Sequence, residues 1–133
     1  MSAEITPHNP SKVVLITGCS SGIGRAVALR LVAAGHTVYA TARRPDSVAE
    51  LAEKGCRLLA LDVTSEASMA AAVGRIEAEH GAVGVLINNA GYSQSGAGEA
   101  VPVERMRAQF ETNVWGPMRL AQLVLPGMRR QRW

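Results

Sequence analysis

The sequence predicts an α/β fold, a doubly wound parallel sheet of about four strands with flanking helices. Three observations carry that expectation. Short apolar runs alternate with helical segments of roughly 10 to 15 residues, so each helix must return the chain to the same end of the sheet through a right-handed crossover. A glycine-rich loop separates the first apolar run from the first helical segment. The 133 residues are 47% apolar but only 4% aromatic, which suits helices packed closely on a sheet better than the aromatic core of a sandwich.

Val13 to Ile16 is a β-branched run leading into Thr17-Gly18, and reads as a buried parallel strand. From Gly22 to Ala34, Ile23, Val27, Leu31 and Ala34 recur at helical spacing, and Gly35 stops the helix. His36 to Thr41 makes the second strand. Pro45-Asp46 then starts a helix through Val48, Leu51 and Ala52 that ends at Gly55. Arg57 to Leu61 is the third strand, followed by a helix over Ser65 to Glu79. Val83 to Asn88 is the fourth, followed by a Gly/Ser-rich loop from Asn89 to Ala100. Pro102 begins a helix carrying Met106 and Phe110. A last helix, about Val114 to Met128, is expected to bury Leu120, Leu123, Val124 and Met128.

Residues 1–11 read as a polar tail, disordered or extended, and 12–133 as one domain with no internal repeat or linker. The net charge of +3 is concentrated at Arg43 and Arg44 and at Arg129, Arg130 and Arg132. No aromatic residues are interleaved with these arginines and no nucleic-acid module pattern is present, so nucleic acid is not the expected partner. Cys19 and Cys56 lie far apart without Cys/His ligand spacing, which indicates neither a disulfide framework nor a metal site and suits a reducing, cytoplasmic setting. Cys19 at a helix N-terminus leaves redox sensitivity conceivable. His8, His36 and His80 share no spacing and read as solvated loop residues. The N-terminus has no basic segment leading into an apolar stretch, and no run reaches the ~18 apolar residues of a membrane span.

The loop Thr17-Gly18-Cys19-Ser20-Ser21-Gly22-Ile23-Gly24 lies between strand and helix, where helix N-terminal amides face an anion. Gly18 permits the tight turn, Gly22 a close backbone approach to a pyrophosphate, and Gly24 close packing of helix on sheet, while Ser20 and Ser21 add hydroxyl donors. No Gly-Lys-Ser/Thr follows, which argues against a triphosphate-binding loop. At the end of the second strand, where an acidic residue would bond the adenosine ribose hydroxyls of NAD, the chain carries Ala42-Arg43-Arg44. Two guanidinium groups suit a 2′-phosphate, so NADP(H) is expected over NAD(H).

With Thr-Gly-x-x-x-Gly-Ile-Gly after the first strand, Asp62-Val63 after the third, Asn88-Asn89-Ala90-Gly91 after the fourth and Asn113 in a later helix, the chain resembles the short-chain dehydrogenase/reductase family from Lys12 onward. The resemblance implies a Rossmann-like fold. It also implies that Asp62 bonds the adenine ring and Val63 lines its pocket, although Asp62 could equally cap the following helix, as could Thr64 or Ser65. Asn89, Ala90 and Gly91 resemble the segment that supports the central strands and lets the cofactor's ribose approach the backbone. Asn113 resembles the family's asparagine that holds a water in a proton relay.

The same resemblance calls for a catalytic serine, a tyrosine and a lysine four residues beyond it. Tyr39 and Tyr92 are the only tyrosines, and neither has a lysine at that position. The chain therefore reads as truncated before the catalytic segment and inactive alone, with its fourth strand an exposed edge and homo-oligomerisation through the last helix expected to cover apolar surface. The complete protein is expected to transfer hydride between NADP(H) and a small-molecule carbonyl or secondary alcohol. The alternative is a non-catalytic dinucleotide-binding or regulatory module.

Overall fold

A computed structural model describes residues 13–132; the expected polar tail lies outside them. Four parallel strands, β1 (Val13–Ile16), β2 (Thr37–Ala42), β3 (Arg57–Ala60) and β4 (Val85–Ile87), form one sheet in the order β3-β2-β1-β4. Leu15 sits in register with Tyr39 on one side and Leu86 on the other. The chain steps outward from β1 to β3 and then returns across β1 to β4, so its direction of travel reverses between β1 and β4.

Alternation along β1 supplies two cores. Val13 and Leu15 point to the face covered by α3 (Glu66–His80) and α5 (Gly116–Gln131), among Met69, Ile76, Leu120 and Val124. Val14 and Ile16 point to the opposite face, among Ala28 of α1 (Gly22–Ala33) and Leu51 of α2 (Ala49–Glu53). All four side chains of β1 are buried, as expected of a central parallel strand covered on both faces. Both faces carry helices, so the expected α/β doubly wound architecture is the one observed.

Three elements of the sheet and its first helices depart from the sequence expectation. The fully buried positions of α1 are Gly24 and Ala28, while Ile23 is 76% exposed and Ala34 is also exposed. Small residues let the helix approach the sheet, and that contact leaves Ile23 facing outward. The helix expected from Pro45 begins instead as a 3-10 turn, Pro45–Val48, in which the N–H and hydroxyl of Ser47 both donate to the Arg44 carbonyl. β4 is shorter than the expected Val83 to Asn88: it pairs with β1, its one partner among the described residues, only over Val85 to Ile87, opposite Val14 to Ile16.

The last two helices are continuous. α4 (Val103–Phe110) runs through a π-helical turn, Glu111–Trp115, into α5, with the Gly116 N–H bonded to the Glu111 carbonyl. Pro117 has no N–H to offer the Asn113 carbonyl, the acceptor four residues back, so the regular ladder cannot continue there. Leu120 and Val124 are buried and Leu123 and Met128 pack partly against them, matching the expected stripe.

Candidate functional site

At the reversal the connections that leave β1 and β4 run to opposite faces of the sheet, which opens a crevice beyond the strand ends where ligands bind in sheets of this kind. Its volume is about 1140 Å³. Every residue expected to bind a cofactor lines it except Gly24: Gly18, Ser20, Ser21, Gly22 and Ile23 from the glycine loop, Arg43 and Arg44 beyond β2, Asp62 and Val63 beyond β3, and Asn89, Ala90 and Gly91 beyond β4.

The glycines act at different contacts. Gly18 leaves β1 at φ +71°, and a Cβ there would lie 2.8 Å from the Ala90 Cα. Gly24 is buried beneath the crevice, where a Cβ would lie 2.3 Å from Asn89 Nδ2 and 2.5 Å from the Gly18 carbonyl oxygen. Gly22 instead has φ +59° and open space around it, so the backbone is bare toward the crevice. Ser21 precedes α1 without a side-chain capping bond and no acidic residue occupies the first turn. Among the described residues no side chain therefore caps the positive end of α1 at the crevice wall.

Thr17, which opens the glycine motif but was given no role of its own by the sequence, joins the two sides. Its Oγ1 accepts from the N–H groups of Asn89 (3.0 Å) and Ala90 (2.9 Å). Asn89 Nδ2 donates to the carbonyls of Thr17 (3.1 Å) and Gly18 (3.0 Å). Asn89 thus contributes by fastening the glycine loop to β4, with its amide turned inward. A threonine in front of the first glycine was the available signal.

The open question at Asp62 has a geometric answer on one side. Ser65 caps α3, its Oγ accepting from the Ser68 N–H at 3.2 Å. Asp62 Oδ1 accepts instead from the N–H (2.9 Å) and hydroxyl (2.7 Å) of Thr64. These bonds, with a smaller contribution from the nearby Arg43 charge, hold the Asp62 carboxyl below its ordinary pKa. Arg43 and Arg44 are exposed and neither forms an ion pair within the described residues, unlike Arg25 with Glu50 or Arg57 with Glu79.

Asn113 sits in the π-helical turn outside the crevice lining. Its Nδ2 donates to the Tyr92 carbonyl at 2.8 Å and its Oδ1 accepts from the Tyr92 N–H at 3.1 Å. One amide hydrogen and one lone pair of Asn113 remain for other partners. Tyr92, Glu111 and Thr112 also line the crevice; the sequence marks the last two only as neighbours of Asn113, because the helix that brings them over the site is placed by packing.

Two side expectations change. Cys19 is fully buried, its thiol directed at the Ile16 carbonyl, and burial pushes its pKa up to about 11, so a stabilised thiolate is absent despite the nearby helix. His80 ends α3 rather than lying in a loop, and its Nε2 meets the Tyr39 hydroxyl at 3.0 Å beside Glu79 and Arg57. A one-dimensional reading could not see that β2 places Tyr39 under the end of α3.

Comparison with known proteins follows the same line. Residues 12–133 match the family model for short chain dehydrogenase. The chain is 40% identical over 122 residues to a 3-ketodihydrosphingosine reductase of Bacteroides thetaiotaomicron, covering 91% of this chain and 44% of that protein. It superposes with a TM-score of 0.87 on a short-chain dehydrogenase from Streptomyces avermitilis, at 42% identity and covering 91% of this chain and 46% of that one. A second solved structure, an NADPH-bound carbonyl reductase from chicken fatty liver, matches with a TM-score of 0.82 at 28% identity, covering 92% of this chain and 53% of that one. The chain thus spans about half the length of the relatives it matches. With its glycine loop, β4 terminus and sheet order all agreeing with the family match, this chain belongs to the short-chain dehydrogenase family of oxidoreductases.

Proposed function

We propose that the chain binds NADP(H) in preference to NAD(H), in the service of hydride transfer between the nicotinamide and a small-molecule carbonyl or secondary alcohol. The observation that carries this reading is the pair Arg43 and Arg44, which follow β2 directly, line the crevice and form no ion pair within the described residues. Guanidinium groups so placed suit a 2′-phosphate, whereas a carboxylate would be needed to favour the free ribose hydroxyls.

The crevice fits such a group. Gly22 leaves bare backbone beside the α1 N-terminus, where Ser20, Ser21 and the first helical amides would hold the pyrophosphate. Asp62 keeps Oδ2 for an exocyclic amine while Thr64 occupies Oδ1, and Val63 would line the same pocket. Ala90 and Gly91 present a wall without bulky side chains to a ribose. When bound, the cofactor supplies the hydride chemistry. The NADPH in the chicken carbonyl reductase structure adds support from a relative.

The catalytic serine, tyrosine and lysine implied by the family are not among these residues, so the chain by itself is proposed to bind cofactor without turnover, with Asn113 its contribution to the proton relay. The alternative reading is a non-catalytic dinucleotide-binding or regulatory module, and turnover of a carbonyl panel by the native protein separates the two. A second copy is proposed to cover the outward apolar side chains Trp115, Met118 and Leu125 at the last helix, which sedimentation would detect. Among the described residues no helix is long and apolar enough to cross a membrane; the two free cysteines suit the cytoplasm. Titration of the chain with NADPH and NADH tests the cofactor assignment: tighter NADPH binding is expected, and equal affinity overturns it.

A further inference from the structure

The peptide of Tyr92 is gripped by one turn of helix. Gln109 Nε2 (3.2 Å) and Asn113 Nδ2 (2.8 Å) both donate to its carbonyl, and Asn113 Oδ1 accepts from its N–H. Both lone pairs of that carbonyl are therefore engaged. Gln109 belongs to α4 and Asn113 to the π-helical turn, so the two amides straddle the junction between them.

These bonds are exposed to solvent, where water competes for the same groups and each adds little to global stability. Their consequence is positional. Tyr92 follows Gly91, where an added Cβ would lie 3.1 Å from Asn113 Oδ1, and Gly91 follows Ala90, whose N–H is bound by Thr17. The Ala90–Tyr92 segment is thus held at one end by β1 and at the other by the helix. A few residues further on, the helix meets the opposite wall: a Cβ on Gly116 would lie 2.5 Å from the Val63 carbonyl oxygen. The sheet order places Arg43 and Arg44 on the β2 side of the glycine loop and Ala90–Gly91 on the β4 side. A dinucleotide with its 2′-phosphate at the arginines extends its nicotinamide half toward the segment that Gln109 and Asn113 hold.

We infer that Gln109 is a positioning residue, which with Asn113 sets the Ala90–Tyr92 backbone as the wall for the nicotinamide half of NADP(H). This rests on the cofactor reading above. The test compares wild type with Gln109→Ala and with Gln109→Glu, which keeps the shape but has no N–H to donate. Two ligands are titrated: NADPH, and adenosine 2′,5′-bisphosphate, which carries the adenine and 2′-phosphate without the nicotinamide half. Both variants should bind NADPH about five- to tenfold more weakly, the loss of roughly one hydrogen bond, while the bisphosphate is held as by wild type and hydrogen exchange at the Tyr92 amide accelerates. Unchanged NADPH affinity, or an equal loss for both ligands, overturns the inference while leaving the cofactor reading intact. A wild-type chain that binds neither ligand overturns the cofactor reading and this inference with it.

Discussion

Asn89 and Thr17 fasten the end of β4 to the end of β1, the Asn89 N–H donating to Thr17 Oγ1 at 3.0 Å while Asn89 Nδ2 donates to the Thr17 carbonyl at 3.1 Å. Thr17 is 1% exposed, so little water reaches this join. It lies at the reversal point of the sheet, and the crevice depends on the two strand ends keeping their spacing.

Replacing Thr17 with Val should therefore destabilise the fold. The shape is kept, but the N–H groups of Asn89 and Ala90 lose their acceptor. A cost of about 1–3 kcal/mol is expected for leaving such groups unpaired, read as a lower urea midpoint with an unchanged slope. Thr17→Ser, which retains the oxygen, should lose less than half as much; equal losses in the two variants would show that packing rather than the hydroxyl matters.

Gly24→Ala and Gly22→Ala should fail in different ways. At Gly24 the new Cβ meets Asn89 Nδ2 and the Gly18 carbonyl oxygen, breaking into the join itself, so a loss of roughly 1–3 kcal/mol from overpacking is expected in thermal or urea unfolding. At Gly22 there is open space but φ is +59°, so the strain is about 1–2 kcal/mol. The methyl would also stand at the crevice, and NADPH affinity should fall by more than the stability change accounts for.

Arg43→Ala and Arg44→Ala should each weaken NADPH while leaving NADH nearly unchanged. Loss of a charge-assisted contact of about 1.5–3 kcal/mol corresponds to roughly ten- to hundredfold in affinity. Isothermal titration at two salt concentrations checks this, because the phosphate contribution should shrink as salt rises. Equal effects on both cofactors would remove the 2′-phosphate assignment.

Cys19 should resist alkylation in the folded chain. Its pKa, pushed up to about 11 by burial, leaves almost no thiolate at pH 8. The sign of the linkage follows: stabilisation from the neutral thiol is complete below its ordinary value of 9.0 and is lost as pH rises through about 11. Iodoacetamide labelling at pH 8, native against urea-unfolded, checks this by mass; rapid native labelling of Cys19 would contradict the buried geometry.

Local features were legible in the chain. The β-branched run Val13 to Ile16, the glycines at 18, 22 and 24 and the Asn89-Ala90-Gly91 terminus each specify backbone over a few residues, and the close contacts at Gly18 and Gly24 leave no room for a side chain there. Ile23 misled because apolar residues at helical spacing mark a face without saying which face meets the sheet; the small residues Gly24 and Ala28 decided that. His80 misled because its partner Tyr39 is 41 residues away.

By itself the sequence determined the alternation of strands and helices, the glycine-loop geometry at Gly18 to Gly24 and the basic end of β2, since these rest on local sterics, periodicity and charge. Only the tertiary structure decided that β4 returns beside β1, that Ser65 rather than Asp62 caps α3, and that α4 and α5 run together through a π-helical turn. It alone brought Gln109 and Asn113 onto the Tyr92 peptide. The physical reason is that hydrogen bonds between segments far apart in the chain form only after apolar burial has chosen which helix covers which face of the sheet.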